Sequence, residues 1–169
     1  MRRTLLALCF CCGAAVALAL CASTPVQAAD PIKLTYSNFF PATHIQSKLA
    51  EEWGKEVEKR TNGKVKVEYY PGQTLTKADI CYDGVVNGIS DIGFSVLGYT
   101  RGRFPLMEVV DLPLGYKNGP EATAVANAVY EKFKDRVLTD TQVMYLHAHG
   151  PGLVHTKGKP VRKLEDNKG

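Results

Sequence analysis

The sequence predicts an α/β fold: a mostly parallel sheet flanked by helices. Two observations carry this. Stretches of period-two alternation and stretches of helical period take turns along the chain, in the order strand, helix, strand, helix, strand, helix, strand. Turn formers punctuate the joins, at Pro41, Asn62-Gly63, Pro71-Gly72 and Asn87-Gly88.

Lys33 to Phe39 reads as the first strand, broken by Pro41. Thr43-His44-Ile45-Gln46 then has capping-box spacing, with Thr43 placed to accept from the backbone at Gln46. Apolar residues recur through the next helix at Ile45, Leu49, Trp53 and Val57. Glu51 with Lys55 and Glu56 with Arg60 form i,i+4 pairs on its outer side. Asn62-Gly63 supplies the left-handed stop. Lys64 to Tyr70 alternates, with Val65, Val67 and Tyr69 on one side, and reads as the second strand. Thr76, with Asp79 three residues on, opens a short helix that ends at Asn87-Gly88. Ile89 to Val96 reads as the third strand, with Ile92, Phe94 and Val96 facing one way. A loop rich in Gly, Arg and Pro follows, where Arg101 and Arg103 read as solvated charges, with contact to an anion as the alternative. Asn118-Gly119-Pro120-Glu121 begins a third helix with Ala122, Val125, Ala126, Val129 and Phe133 inward. Gln142 to Ala148 reads as a fourth strand.

The N-terminus reads differently. Arg2-Arg3, an apolar run from Leu5 to Leu20 and small residues up to Ala29 form the pattern of a secretory signal peptide. Val26 and Ala28 suit the −3 and −1 positions, so residues 1–28 are expected to be removed. The run is shorter than the roughly 20 residues a membrane span needs. Leu20 is bulky where a lipoprotein with Cys21 as acceptor would want a small residue. Without Arg2 and Arg3, 19 of the 21 basic residues face 17 acidic ones. A small, scattered net charge predicts affinity for neither nucleic acid nor a membrane surface.

Four of the five cysteines lie in the leader. Cys81 alone follows it, which excludes an intramolecular disulfide and suggests a small buried apolar side chain. His147 and His149, with His155 nearby, hold the raw material of a zinc site. No Cys, Asp or Glu accompanies them between Gln142 and Lys163, and packing near the end of a strand explains them as well. The glycines lack phosphate-loop spacing, and neither a nucleophile elbow nor a convincing carboxylate pair is present. No cofactor is expected.

Several segments carry a family pattern in order: Phe39-Phe40-Pro41-Ala42-Thr43-His44, Thr61-Asn62-Gly63-Lys64-Val65-Lys66-Val67 and Tyr70-Pro71-Gly72. Asp83-Gly84-Val85-Val86-Asn87-Gly88-Ile89-Ser90-Asp91-Ile92-Gly93, Asp111-Leu112-Pro113-Leu114 and Pro160-Val161-Arg162-Lys163-Leu164-Glu165-Asp166 continue it. The chain resembles the extracytoplasmic solute-binding proteins of tripartite ATP-independent periplasmic (TRAP) transporters, of the dicarboxylate-binding-protein type. The resemblance implies a periplasmic-binding-protein-like lobe and a clamp of two lobes. Such a clamp closes on a small organic acid and delivers it to the TRAP membrane permease subunits. It implies a periplasmic binding protein rather than an enzyme. The rivals are a secreted metal-dependent enzyme using His147, His149 and His155, and a periplasmic sensory domain.

Family chains run to roughly twice the mature length, within the range of two-domain proteins. In the family the pattern continues past the position of Gly169 into a strand whose arginine pairs with the ligand carboxylate. Residues 29–150 are therefore expected to form the first lobe and 151–169 the start of a second, largely missing one. The isolated chain should bind ligand poorly or not at all and leave a sheet edge unpaired. Ligands of open α/β sheets sit outside the carboxyl ends of the strands. The resemblance then makes Asn38 and His44 candidate carboxylate donors, helped by the N-terminus of the first helix. Phe39, Phe40 and Tyr99 are candidates for an apolar wall, and Thr74 and His149 lie at the other strand ends.

Overall fold

Strand β1 (Ile32–Asn38) is the centre of the sheet, and its buried end, Tyr36, Ser37 and Asn38, sets where everything else packs. The computed structural model describes residues 30–167, and the α/β fold belongs to the unit from Ile32 onward. The signal-peptide expectation for residues 1–28 lies outside the described residues. Among them the sheet has three strands in the order β2-β1-β3, all parallel. β2 is Val65–Tyr70 and β3 is Ile92–Phe94. The register sets Tyr36 opposite both Tyr69 and Ile92, and Asn38 opposite Phe94. A parallel sheet with helical crossovers is thus what forms. β3 is much shorter than the Ile89–Val96 expectation. The Ser90 side chain is buried, Asp91 turns back to β1, and a 3-10 turn over Leu97–Tyr99 draws the chain away.

Helix α1 (Ile45–Arg60) crosses from β1 to β2. Its cap is His44, whose Nδ1 accepts from the Gln46 backbone N–H at 3.2 Å, one residue later than the predicted Thr43. Its inner stripe is also shifted. Ser47, Ala50 and Gly54 are buried, whereas Ile45 and Leu49 are exposed. The small stripe packs inward because it lets the helix backbone approach β2. A Cβ on Gly54 would sit 3.2 Å from Val67 Cβ. Ser47 Oγ fixes the first turn by donating to the Phe40 carbonyl at 3.1 Å. Trp53 covers Tyr36 edge-on, with ring centroids 6.2 Å apart. Glu56 and Arg60 pair at 2.8 Å, while Glu51 and Lys55 form no ion pair. The helix ends as its sequence asks. Asn62 is left-handed (φ 52°), Gly63 donates to Glu58 O and Asn62 donates to Lys59 O, which together make a Schellman closure.

Helix α2 (Cys81–Val86) begins later than expected and has no side-chain cap. Thr76 does not open it. Its hydroxyl is committed to buried Ser37 Oγ at 2.6 Å. Gly84 of α2 packs beneath the same threonine, where a Cβ would meet Thr76 Cγ2 at 2.6 Å. Cys81 is 1 % exposed, its Sγ–H donates to the Phe94 carbonyl at 3.4 Å, and burial pushes its thiol pKa up. That makes it an inert core side chain.

The predicted loop holds a short helix α3 (Pro105–Glu108) and a 3-10 turn over Val109–Asp111. Helix α4 (Gly119–Phe133) is capped by Asn118, which accepts from Glu121 N at 2.9 Å. Ala122 and Ala126 are buried, and Val129 and Phe133 pack on a cluster of Tyr82, Phe104, Met107, Val137 and Leu138. The expected fourth strand does not form. Residues 142–149 form no regular element, and α4 takes backbone groups of Leu146 and Ala148. Asn127 Nδ2 donates to Leu146 O, and Thr123 Oγ1 both accepts from Ala148 N at 2.9 Å and donates to Ala148 O at 3.3 Å. Those groups are then unavailable to a ladder. Arg103 is exposed, as expected of a loop charge, but it has partners within the fold. Its guanidinium pairs with Asp83, approaches Asp140 and lies 4.8 Å from the Tyr82 ring centroid. Among the described residues no helix is long and apolar enough to cross a membrane.

Candidate functional site

All three strands end on the same side, and the chain leaves each end by way of ring-bearing or polar residues. From β1 come Phe39 and Phe40, from β3 Phe94, and from the turn beyond it Tyr99. Phe39 touches three other rings: Phe40 at 4.3 Å, Phe94 at 5.8 Å and Tyr99 at 5.6 Å between centroids. Phe40 meets Phe94 at 5.7 Å and stacks flat on His44 at 3.9 Å. Phe94 meets His147 at 5.6 Å, and His147 stacks on Tyr145. These contacts make one aromatic layer across the tips of β1 and β3. Phe39 and Phe40 are half-buried and Tyr99 is 52 % exposed, so the layer reaches solvent on the Tyr99 side.

Asn38 supports this layer from below. It is fully buried, and its Oδ1 accepts from Phe40 N at 2.9 Å, which fixes the chain as it leaves the strand. Its Nδ2 has no protein partner, and the Asn38 side chain sits near Tyr69. Tyr69 is pushed up in pKa, chiefly by burial, while its Ser47 and Asn38 neighbours oppose that shift. Tyr36 is raised further by its own burial and by Tyr145. Both phenols stay protonated at neutral pH, so the floor of the layer is uncharged. His44 spends Nδ1 on capping α1, which leaves Nε2–H as its free donor.

Beside Tyr99 lies an open cleft of about 700 Å³. The loop after β2 lines one part of it with Gln73, Lys77 and Asp79, and the turn after β3 lines another with Gly98, Tyr99 and Arg101. The loop after β2 is held by left-handed Gly72 and Gln73 and by Thr74, whose hydroxyl donates to Pro71 O at 2.8 Å.

The structure thus brings Phe39, Phe40, His44 and Tyr99 together, with Asn38 beneath them. Thr74 is exposed and bonded within its own turn. His149 is also exposed, its Nδ1–H donating to Gly150 O at 2.6 Å, and its backbone packs beside Gly119. Phe94 and Lys77 were not among the sequence candidates, and His147 was one only for a metal site. Phe94 read as sheet packing, and only the end of β3 at that residue places its ring on the tips. Among the described residues no three His, Cys, Asp or Glu side chains converge as a metal site. The His147 ring packs against Phe94 and Tyr145, and His149 spends Nδ1–H on a carbonyl.

The family model described as bacterial extracellular solute-binding protein, family 7, matches residues 36–169. The chain belongs to this family of TRAP solute-binding proteins. A solute-binding protein of Albidiferax ferrireducens is 28% identical over 142 residues, covering 80% of this chain and 42% of the relative. The crystal structure of a TRAP solute-binding protein from Rhodoferax ferrireducens, in complex with copurified benzoate, is similar with a TM-score of 0.69 and 33% identity. That match covers 82% of this chain and 44% of the other. A TRAP solute-binding protein from an unidentified marine microbe, specific for aromatic acid ligands and crystallised with 3-hydroxybenzoate, matches with a TM-score of 0.72 and 30% identity. There the match covers 79% of this chain and 42% of the other. The chain spans less than half the length of these relatives.

Proposed function

We propose that this chain is the first lobe of a periplasmic solute-binding protein for small aromatic carboxylates, serving a TRAP-type secondary transporter. The observation that carries the reading is the aromatic layer at the strand tips. Phe39, Phe40, Phe94 and Tyr99 offer ring faces and edges beside an open cleft, the place where open α/β sheets receive ligands. Family membership supports solute binding, and the benzoate and 3-hydroxybenzoate found in two similar structures support the ligand class. A ligand ring would lie against Phe39 and Tyr99, with His44 Nε2–H as a donor near the α1 N-terminus. Asn38 holds Phe40 in place, and Thr74 and His149 would stand at the rim. Residues 29–150 would form this lobe and 151–169 lead into a second. Closure of the second lobe would add contacts absent from the open state and so shift the population towards the closed one. The ligand would then be released unchanged to the permease subunits in the membrane.

The test is calorimetric melting of the chain with a panel of aromatic and aliphatic carboxylates, with product analysis of each mixture. One lobe gives weak binding, so millimolar ligand is needed. At ten times its Kd, ligand adds about 1.4 kcal/mol of stability. Stabilisation by benzoate-like acids, with none consumed, is the expected result. Turnover of any acid, or equal indifference to all of them, would overturn the reading.

A further inference from the structure

Two cations on the cleft wall have no partner assigned by the fold. Lys77 and Arg101 are exposed, line the cleft from its two loops and close no ion pair among the described residues. The contrast with Arg103, two residues on, is informative. Arg103 is tied to Asp83 and lies over the Tyr82 and Phe104 rings, so its charge is used within the fold. Arg101 has no such engagement, and Tyr99, whose ring reaches Phe39, sits beside it on the same lining. The lining carries one opposing carboxylate, Asp79. Asp111 Oδ2 lies close to Gly98 of the lining, although Asp111 does not itself line the cleft.

We propose that Lys77 and Arg101 form a carboxylate-capture subsite within this lobe, and that Asp79 sets its strength. The inference rests on the aromatic-carboxylate reading above and adds which residues of this chain meet the charged end of the ligand. The ring contacts Tyr99 and Phe39 while the carboxylate lies between the two cations. A guanidinium holds a carboxylate by a planar two-point contact, and an ammonium adds a point charge. Capture by this lobe precedes any contact from a second lobe, so it acts on the encounter step and is screened by salt. Asp79 repels the same carboxylate and weakens the hold, which favours release.

The experiment is an amide-shift NMR titration of the ¹⁵N-labelled chain with sodium benzoate and with neutral benzamide, at low ionic strength. Both cations are exposed, so K77Q, R101Q and the double variant should keep the dispersed spectrum of the parent chain. Benzoate should move amides at residues 77–79 and 98–101 as well as 38–44. Its Kd should rise roughly three- to tenfold in the double variant, with each single change giving part of the loss, as exposed charge pairs do. D79N should lower the benzoate Kd. None of these changes should alter the response to benzamide. If the double variant bound benzoate as tightly as the parent chain, the capture subsite would be refuted and the ligand reading would stand. If benzoate moved no amide at the strand tips, both would fall together.

Discussion

Replacing Gly93 with alanine tests how closely the sheet and its helix must approach to put Phe94 on the strand tips. Gly93 is the middle residue of β3, paired with Ser37 across the ladder. A Cβ there would lie 2.7 Å from Val85 Cγ2, 3.1 Å from Cys81 Sγ and 3.4 Å from Cys81 O, all on α2. In open space, Gly→Ala in an extended strand would stabilise the protein by about 0.4–1 kcal/mol, because the unfolded chain loses freedom. Inserting a methyl into a packed contact costs about 1–3 kcal/mol. Carbon–carbon separation at 2.7 Å is well inside contact distance, so overpacking wins and the net loss should be about 1–2 kcal/mol. The sign of the effect therefore decides the question. Urea unfolding followed by circular dichroism measures it. The double change Gly93→Ala with Val85→Ala should lose less than the sum of the two singles, because the second change removes the clashing methyl. A G93A chain as stable as the parent, or strictly additive losses, would refute the close β3–α2 approach.

Three further outcomes follow from the hydrogen bonds around the site. Thr76→Val leaves the fully buried Ser37 hydroxyl without its 2.6 Å partner and should cost about 1–3 kcal/mol in chemical denaturation, most of it recovered by adding Ser37→Ala. His44→Ala removes the α1 cap and should lower stability by about 1 kcal/mol, while His44→Asn, a good capping residue, should restore most of that in a thermal melt. Asp91 accepts from Thr35 N at 2.7 Å and from Thr35 Oγ1 at 2.8 Å, bonds that hold its carboxyl below its ordinary 3.8. Its folded pKa is depressed, so its contribution is fully present above the ordinary 3.8 of the unfolded chain and is lost as pH falls through the folded pKa. Acid titration of stability should therefore show a loss below about pH 4 in the parent chain that is missing from Asp91→Asn.

The first strand, the alternation of β2, the Asn62-Gly63 stop and the Asn118 cap were readable because each depends on residues within one turn or one strand. The parallel order β2-β1-β3 followed from the helical crossovers. What failed needed knowledge of distant partners. Ile45 and Leu49 have helical spacing, but the helix turns its small stripe inward because Gly54 faces Val67 across the chain. Thr76 looks like a cap until Ser37, thirty-nine residues away, takes its hydroxyl. Residues 142–148 have strand composition, yet Thr123 and Asn127 on α4 take the backbone groups a ladder would use. At the site, Phe39 and Phe40 were legible from their place after a strand. Arg101 and Arg103 looked alike, and only Asp83 and Tyr82 separate the engaged arginine from the one on the cleft.

The proposed function requires an aromatic acid to rest on the rings at the strand tips. Intermolecular nuclear Overhauser effects between benzoate ring protons and the labelled chain measure that directly. Contacts to the side chains of Phe39, Phe94 and Tyr99 are the predicted result. Contacts confined to another surface, such as the α1–β2 groove around Gly54 and Val67, would contradict it.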